Sequence, residues 1–250
     1  MLSSIWTQCA GDSSLRPLRV DAWRVVEAQH QVSTRKLVDT ADEQVLLEEL
    51  IDGVKPPDPT HGTLHYLLAT PFRYPPLPHG SRFGARHQPS VWYGSETLET
   101  ALAEVAYYRL VFLAGTSASF ETLTTTLTAF TARASSTRGT DLVSAPFDVH
   151  RETIASPAQY TDTQQLGNAM RAAGVELFRY PSARAQDGVN IGAFVPSVFG
   201  RGKPRAFETW HCVAKRSGVE LAKRDYFARG SVTFPREHFL IDGSLPAPAL

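Results

Sequence analysis

The sequence predicts an α+β fold, a mixed and partly antiparallel sheet with flanking helices. Three observations carry this reading. Helix-period and strand-period segments are interleaved without the regular strand–helix–strand repeat of a doubly wound parallel sheet. A Thr-rich stretch over residues 116–135, with alternating apolar positions, reads as strand. Ala206 to Ala214, the turn Lys215-Arg216-Ser217-Gly218 and the run from Val219 onward read as a hairpin, which requires antiparallel pairing. The length of 250 residues fits one domain or two, and an apolar fraction of 42% suffices for a real core.

The elements follow in order. Residues 1–38 hold mixed apolar segments around Trp23-Arg24-Val25-Val26. Thr40-Ala41-Asp42-Glu43 is a capping box, and Val45, Leu46, Leu47, Leu50 and Ile51 form one broad apolar side, so a helix spans about 41–52. Gly53 and Pro56-Pro57 end it. His65-Tyr66-Leu67-Leu68 is short and apolar, which predicts a strand. Thr70 to Ser90 is rich in Pro and Gly and predicts a long loop, with Arg73, Tyr74, Arg82, Phe83 and Arg86 as binding-type side chains. Val91-Trp92-Tyr93 reads as a short strand.

Ser95 or Thr97 caps the next helix, with Leu98, Ala101, Leu102, Val105 and Phe112 on one face and Gly115 at its end. Thr161-Asp162-Thr163-Gln164 predicts a second capping box for a helix bearing Leu166, Met170 and Ala173, closed by Gly174. Val175 to Tyr180 and Val189 to Val195 read as strands, and Pro246 to Leu250 as a tail.

Composition excludes several classes of function. Lys+Arg 25 against Asp+Glu 25 gives zero formal charge, which argues against a general nucleic-acid binder and against a polybasic membrane anchor. Cys9 and Cys212 are too few for a disulfide framework and form no Cys-x-x-Cys zinc pair. A reducing, cytoplasmic compartment is expected. The N-terminus lacks the pattern of a signal peptide, and no run approaches ~18 apolar residues, so no membrane span is expected. There is no Walker loop, no Gly-x-Gly-x-x-Gly after a strand and no Gly-x-Ser-x-Gly elbow. His61 and His65 stand four apart, but Gly62 lies between them and no zincin glutamate accompanies them, so no metal is expected there.

Two blocks carry the chemistry. The first holds Gly80-Ser81-Arg82-Phe83, Val91-Trp92-Tyr93 and Glu99-Thr100-Ala101-Leu102-Ala103-Glu104. The second reads Phe178-Arg179-Tyr180-Pro181-Ser182-Ala183-Arg184 and continues Gly188-Val189-Asn190-Ile191-Gly192-Ala193-Phe194. Together, over roughly residues 65–200, they resemble the RES domain family, whose members are typically the toxin half of bacterial RES–Xre toxin–antitoxin pairs. The family's arginine falls on Arg82, its strand tyrosine on Tyr93, its glutamate on Glu104, its serine on Ser182, and a further arginine on Arg73. The chain departs from the family after Arg-Phe, where many members have Asn and a Gly-rich turn and this one has Gly84-Ala85-Arg86-His87-Gln88.

The resemblance implies an ADP-ribosyltransferase-like fold with a cleft for NAD+. It implies residues 65–250 as the catalytic domain and residues 1–64 as an N-terminal helical extension packed on it, in one compact unit. NAD+ is then a substrate: no cofactor is needed and no metal expected. The implied activity is cleavage of the nicotinamide–ribose bond, degrading NAD+ by water or phosphate or passing ADP-ribose to a protein acceptor. The implied partner is a Xre-type antitoxin.

The residue types suit that chemistry. As nicotinamide leaves, C1′ of the ribose becomes oxocarbenium-like, and a carboxylate beside it stabilises the charge or orients the nucleophile. Glu104 lies roughly 120° from the middle of its helix's apolar stripe, on the flank, where it can border a cleft. Arg82 and Arg73 are expected to hold the diphosphate through bidentate guanidinium contacts. Tyr93 offers a ring face and a hydroxyl. Ser182 offers a hydroxyl to a ribose oxygen or phosphate; no histidine is placed to make it a nucleophile. The alternative is a catalytically inactive nucleotide-binding or antitoxin-binding module. A nuclease is weaker still, for want of a basic groove or clustered acidic ligands.

Overall fold

The structure is a computed structural model describing residues 4–28, 37–117, 121–225 and 230–247. Its elements are α1 (Ile5–Gln8), β1 (Arg16–Glu27), α2 (Ala41–Val54), α3 (Tyr66–Arg73), β2 (Trp92–Ser95), α4 (Leu98–Gly115), β3 (Leu123–Asp141), α5 (Arg151–Ile154), α6 (Thr161–Ala172), β4 (Leu177–Pro181), β5 (Val189–Ala193), β6 (Arg205–Lys215), β7 (Gly218–Lys223) and β8 (Ser231–Pro235). The fold is α+β, with one mixed eight-stranded sheet and flanking helices.

The sheet order is β1-β2-β5-β4-β3-β6-β7-β8, and β1 also pairs with β3. Strands β1, β2, β5, β4 and β3 therefore close into a ring, from which β6, β7 and β8 extend. Every pairing is antiparallel except β3–β4. The length of β3 makes this possible. Residues 123–131 pair with β6, 127–139 with β1, and 139–141 with β4. The hairpin read from residues 206–219 is present as β6–β7, with Lys215 opposite Gly218.

Residues 1–64 were expected to form a helical extension. Their described part instead contributes β1, which pairs with β3 from Arg16 to Glu27 and contacts β2 at Trp23–Ser95. Val20, Ala22 and Val25 are buried in the sheet. Helix α2 forms with its box intact: the Glu43 N–H donates to Thr40 Oγ1 at 3.2 Å, and the Thr40 N–H to Glu43 Oε2 at 3.1 Å. Yet Val45, Leu46 and Leu50 on its apolar side are each more than half exposed, so α2 is not seated on the core.

Other elements depart from the pattern. His65 to Leu68 begins helix α3, with His65 Nδ1 accepting from the Leu67 N–H at 3.3 Å. A short apolar run has no decisive period, and tertiary burial of Leu67 and Leu68 selects the helix. In α4, Thr97 caps Thr100 as expected, but the buried face centres on Ala103, Ala106, Leu110 and Leu113 and leaves Phe112 exposed. The predicted box at Thr161 is absent: Tyr160 is the N-cap and gives no side-chain cap. Gln164 reaches instead to the His79 and Ser81 carbonyls, at 3.2 and 3.1 Å. Of the expected tail, residues 248–250 lie outside the described residues, and the Pro246 carbonyl accepts from the Tyr107 hydroxyl.

Three apolar clusters fill the body. One lies under α4 and includes Leu127, Trp210 and Leu221; a second joins α3 to Trp92, Phe130 and Phe199; a third gathers Phe83, Phe147, Leu166, Met170 and Phe178. Phe83 is fully buried and meets Phe178 and Tyr180 edge-on at 4.9 and 4.8 Å. That burial contributes about 1.5–3 kcal/mol and fastens the long loop to the sheet. No described helix is long and apolar enough to cross a membrane.

Gly167 sets how closely α6 approaches that loop, because a Cβ there would stand 2.2 Å from the Phe83 carbonyl oxygen. Both atoms are held by backbone, so Gly167→Ala is expected to lower stability by about 1–3 kcal/mol through overpacking. Chemical denaturation of the two proteins checks this.

Candidate functional site

A cleft of ≈ 280 Å³ opens where β1, β2, β5 and α4 meet the 81–84 turn. Each wall reaches it for a local reason. β2 and β5 are antiparallel, with Tyr93 opposite Gly192 and Ser95 opposite Asn190. α4 begins immediately beyond β2 and carries Glu104 past the end of these strands. Arg82, Tyr93 and Glu104 all line the cleft, so the structure brings these three expected residues together.

Glu104 is held from one side. Its Oε1 accepts from Ser182 Oγ at 2.8 Å and from Asn190 Nδ2 at 2.6 Å. Asn190 is fixed in turn, its Oδ1 accepting from Ser95 Oγ at 2.7 Å. Among the described residues both hydrogen bonds to the carboxylate fall on Oε1, and Oε2 accepts none. Ser182 is buried, and its hydroxyl oxygen also accepts from the Arg184 and Ala185 N–H groups at 3.0 and 3.2 Å. Ser182 thus joins the 182–188 turn to Glu104 on α4 as a clasp.

Arg82 is 8% exposed. Its Nη1 donates to the Ile154 and Ser156 carbonyls at 3.0 and 2.8 Å, and its guanidinium lies 4.7 Å from the Tyr160 ring centre. Among the described residues, Nε and Nη2 make no hydrogen bond to protein, so they are the donors offered to the cleft. Tyr93 steadies this turn. Its hydroxyl lies 2.9 Å from Ser81 Oγ and accepts from the Phe83 N–H at 3.1 Å. Burial raises the Tyr93 pKa to about 12, so the phenol stays neutral at ordinary pH. Burial, and then the nearby Glu104 carboxylate, likewise push the Tyr180 phenol well above its usual value.

Arg73 does not join the cluster. It sits in the last turn of α3, where its Nε donates to the Pro56 carbonyl. The expectation failed because α3 extends into the stretch read as loop and turns Arg73 toward Pro56. The second cleft arginine is Arg24 on β1. Its Nη1 donates to the Tyr93 carbonyl at 2.8 Å, and its guanidinium lies 5.2 Å from the Trp92 ring centre. Arg24 Nε is buried without a hydrogen-bond partner. Burial lowers the Arg24 pKa to about 10, which still leaves it cationic at neutral pH. A buried cation with an unmatched donor is suited to an anionic ligand. The sequence signal was an arginine inside the apolar run Trp23-Arg24-Val25-Val26; Asn190 stands likewise inside an apolar strand.

Among the described residues no group of three or more His, Cys, Asp or Glu side chains is arranged to hold a metal. The cleft presents a carboxylate with one oriented oxygen, two guanidiniums with donors to spare, and the aromatic walls Trp23, Tyr93, Tyr108, Tyr160 and Tyr180. This is the equipment for a ligand that pairs anionic groups with flat rings and hydroxyls.

The model of the RES domain family matches residues 57–213, and the chain belongs to that family. The match begins beyond Arg24 and β1. No curated protein matches the chain. Among solved structures, a chain of the MbcT–MbcA toxin–antitoxin complex of M. tuberculosis is similar with a TM-score of 0.47 and 10% identity, over 94% of each chain. A likeness that distant carries no argument about function.

Tyr93→Phe removes the acceptor of the Phe83 N–H and the partner of Ser81. It is expected to cost about 1–3 kcal/mol, the penalty of a buried donor left unmatched. Thermal and denaturant unfolding of the variant measure it.

Proposed function

We propose that this chain is the toxin of a toxin–antitoxin pair and that it cleaves the nicotinamide–ribose bond of NAD+. The observation that carries the reading is the Glu104 carboxylate, oriented by Ser182 and Asn190, in a cleft it shares with Arg82 and Arg24. Membership of the RES domain family supports the same reading.

In this mechanism Arg82 and Arg24 hold the diphosphate. Arg82 offers Nε and Nη2, and Arg24 its unmatched Nε. Tyr93 contributes its ring to the wall, while its hydroxyl keeps the Arg82 turn in place. The reacting ribose lies against Glu104. The C1′–N bond breaks with its electron pair leaving on nicotinamide, and positive charge develops on C1′ and the ring oxygen. Glu104 Oε2 faces that charge, and the fixed orientation of the carboxylate removes the cost of reorganising it during the step. A nucleophile then adds to C1′: water, phosphate or a protein side chain, which releases ADP-ribose, its phosphorylated form or an ADP-ribosylated protein. Ser182 acts through Glu104 as a positioning residue. The proposed macromolecular partner is a Xre-type antitoxin.

Arg82→Lys keeps a charge but loses the fork that serves two carbonyls and a ligand at once. It is expected to weaken NAD+ binding by about 2–3 kcal/mol, close to the loss in Arg82→Ala. Calorimetric titration of NAD+ into each protein tests this, alongside incubation with labelled NAD+ to identify the products. Wild-type affinity in Arg82→Ala, or intact NAD+ after incubation with the wild type, would contradict the reading.

A further inference from the structure

A second hollow of ≈ 280 Å³ adjoins the cleft and shares Val25, Val105 and Tyr108 with it. Together they form one trough between β1 and α4. The strand from Trp23 to Glu27 runs along it for about 13 Å, so the trough continues well past the reacting carboxylate. Its far part differs in character from the near part. The floor is Val25, Val26, Val105 and Leu127, with Tyr108 at the junction and Glu27 and Arg109 at the end. Arg109 Nη2 and Glu27 Oε1 are 2.6 Å apart, with the Arg109 side chain 17% exposed and the Glu27 side chain 57% exposed. The Tyr108 residue is half exposed. Tyr108 lines both the cleft and the hollow, with its ring 5.1 Å from that of Tyr107, and burial, then the neighbouring Tyr160 and Glu104, raise its phenol well above the usual value.

An aliphatic floor beside an aromatic ring accepts a flat base. A carboxylate at the end accepts hydrogen bonds from ribose hydroxyls and repels a phosphate. Resting on the reading of the cleft as an NAD+ site, we propose that the second hollow is the adenosine subsite, with Tyr108 against the base and the Glu27–Arg109 pair selecting a ribose 2′-hydroxyl over a 2′-phosphate. The pairing matters as much as the carboxylate. Among the described residues lining the hollow, Arg109 is the cation, and it is ion-paired with Glu27. Removing the negative charge from Glu27 leaves Arg109 with an unbalanced positive charge, which a 2′-phosphate satisfies. The protein is therefore specific for NAD+ over NADP+, and the specificity is held at the far end of the trough from the chemistry.

The test is nicotinamide release from NAD+ and from NADP+ by the full chain and by Glu27→Gln, Tyr108→Ala and Tyr108→Phe, each with a thermal melt. Glu27→Gln is expected to lower the ratio of kcat/KM for NAD+ over NADP+ at least tenfold. Tyr108→Ala is expected to raise KM about tenfold with a smaller change in kcat, the size of one lost base stack, and to exceed the effect of Tyr108→Phe. Binding of ADP and of its 2′-phosphorylated counterpart to Glu27→Gln provides a readout independent of turnover, and the variant is expected to gain on the phosphorylated ligand. If the wild type cleaves NAD+ but Glu27→Gln keeps the wild-type ratio in both assays, the subsite assignment is overturned and the reading of the cleft stands. If the wild type neither binds nor cleaves NAD+, the reading of the cleft falls and the subsite with it.

Discussion

The register between β2 and β5 is the constraint on which the site depends. It sets Tyr93 opposite Gly192 and Ser95 opposite Asn190. Side chains alternate along a strand, so a slip of one residue would turn Asn190 away from Glu104 and Tyr93 away from the 81–84 turn. Several features pin it. Trp92 is fully buried against the second cluster. β4 pairs with the other edge of β5, Tyr180 opposite Asn190, and holds that strand from behind. Arg179 on β4 bridges Glu96 at 2.6 Å and Asp141 at 2.7 Å, tying the end of β2 to the end of β3. Such a bridge contributes little alone, but here it joins three segments whose relative position is already fixed by the sheet.

From that frame the functional groups are placed by short, local chains of contact. Phe83 sinks between Phe178 and Tyr180 and carries Arg82 with it, and the Tyr93 hydroxyl closes the turn that bears both. Ser182 closes its own turn through two backbone N–H groups and then reaches Glu104. Arg184, two residues on, lies with its guanidinium 3.4 Å from the Tyr107 ring centre and donates to the Pro157 carbonyl, fastening the same turn to α4 and to the loop before α6. Conserving geometry this way leaves two costs in the cleft: the unmatched Arg24 Nε and an oriented carboxylate beside buried phenols. Costs of that kind are offset when a ligand supplies the missing partners.

Much of this was legible in the sequence. The capping box at Thr40, the cap at Thr97 and the β6–β7 hairpin depend on neighbours within a few residues, and each appears as read. Arg82, Tyr93 and Glu104 were carried over from the resemblance of the two motif blocks to the RES family, and all three line one cleft. What failed was non-local. β1 pairs with β3 a hundred residues or more away, and nothing in a run of mixed apolar and basic residues announces that partner. Arg73 was misplaced because α3 lacks a decisive period and extends into a Pro-rich stretch. The bond from Ser182 to Glu104 was not readable, because a hydroxyl at a strand end does not declare which neighbour it will meet. Arg24 and Asn190 had a readable signal, a polar side chain within an apolar strand, whose meaning appears only when the strands are placed side by side.

The charge of Glu104 is the centre of the proposed mechanism. Glu104→Gln keeps the shape and can still meet Ser182 and Asn190, but it removes the negative charge that the proposed mechanism sets against C1′. Nicotinamide release by the wild type and by Glu104→Gln, with thermal melts and NAD+ titration of both, measures what that charge does. Equal melting, retained NAD+ binding and a rate lower by about 10²–10³ are expected. A variant that melts like the wild type, binds NAD+ and releases nicotinamide at the wild-type rate would contradict the mechanism.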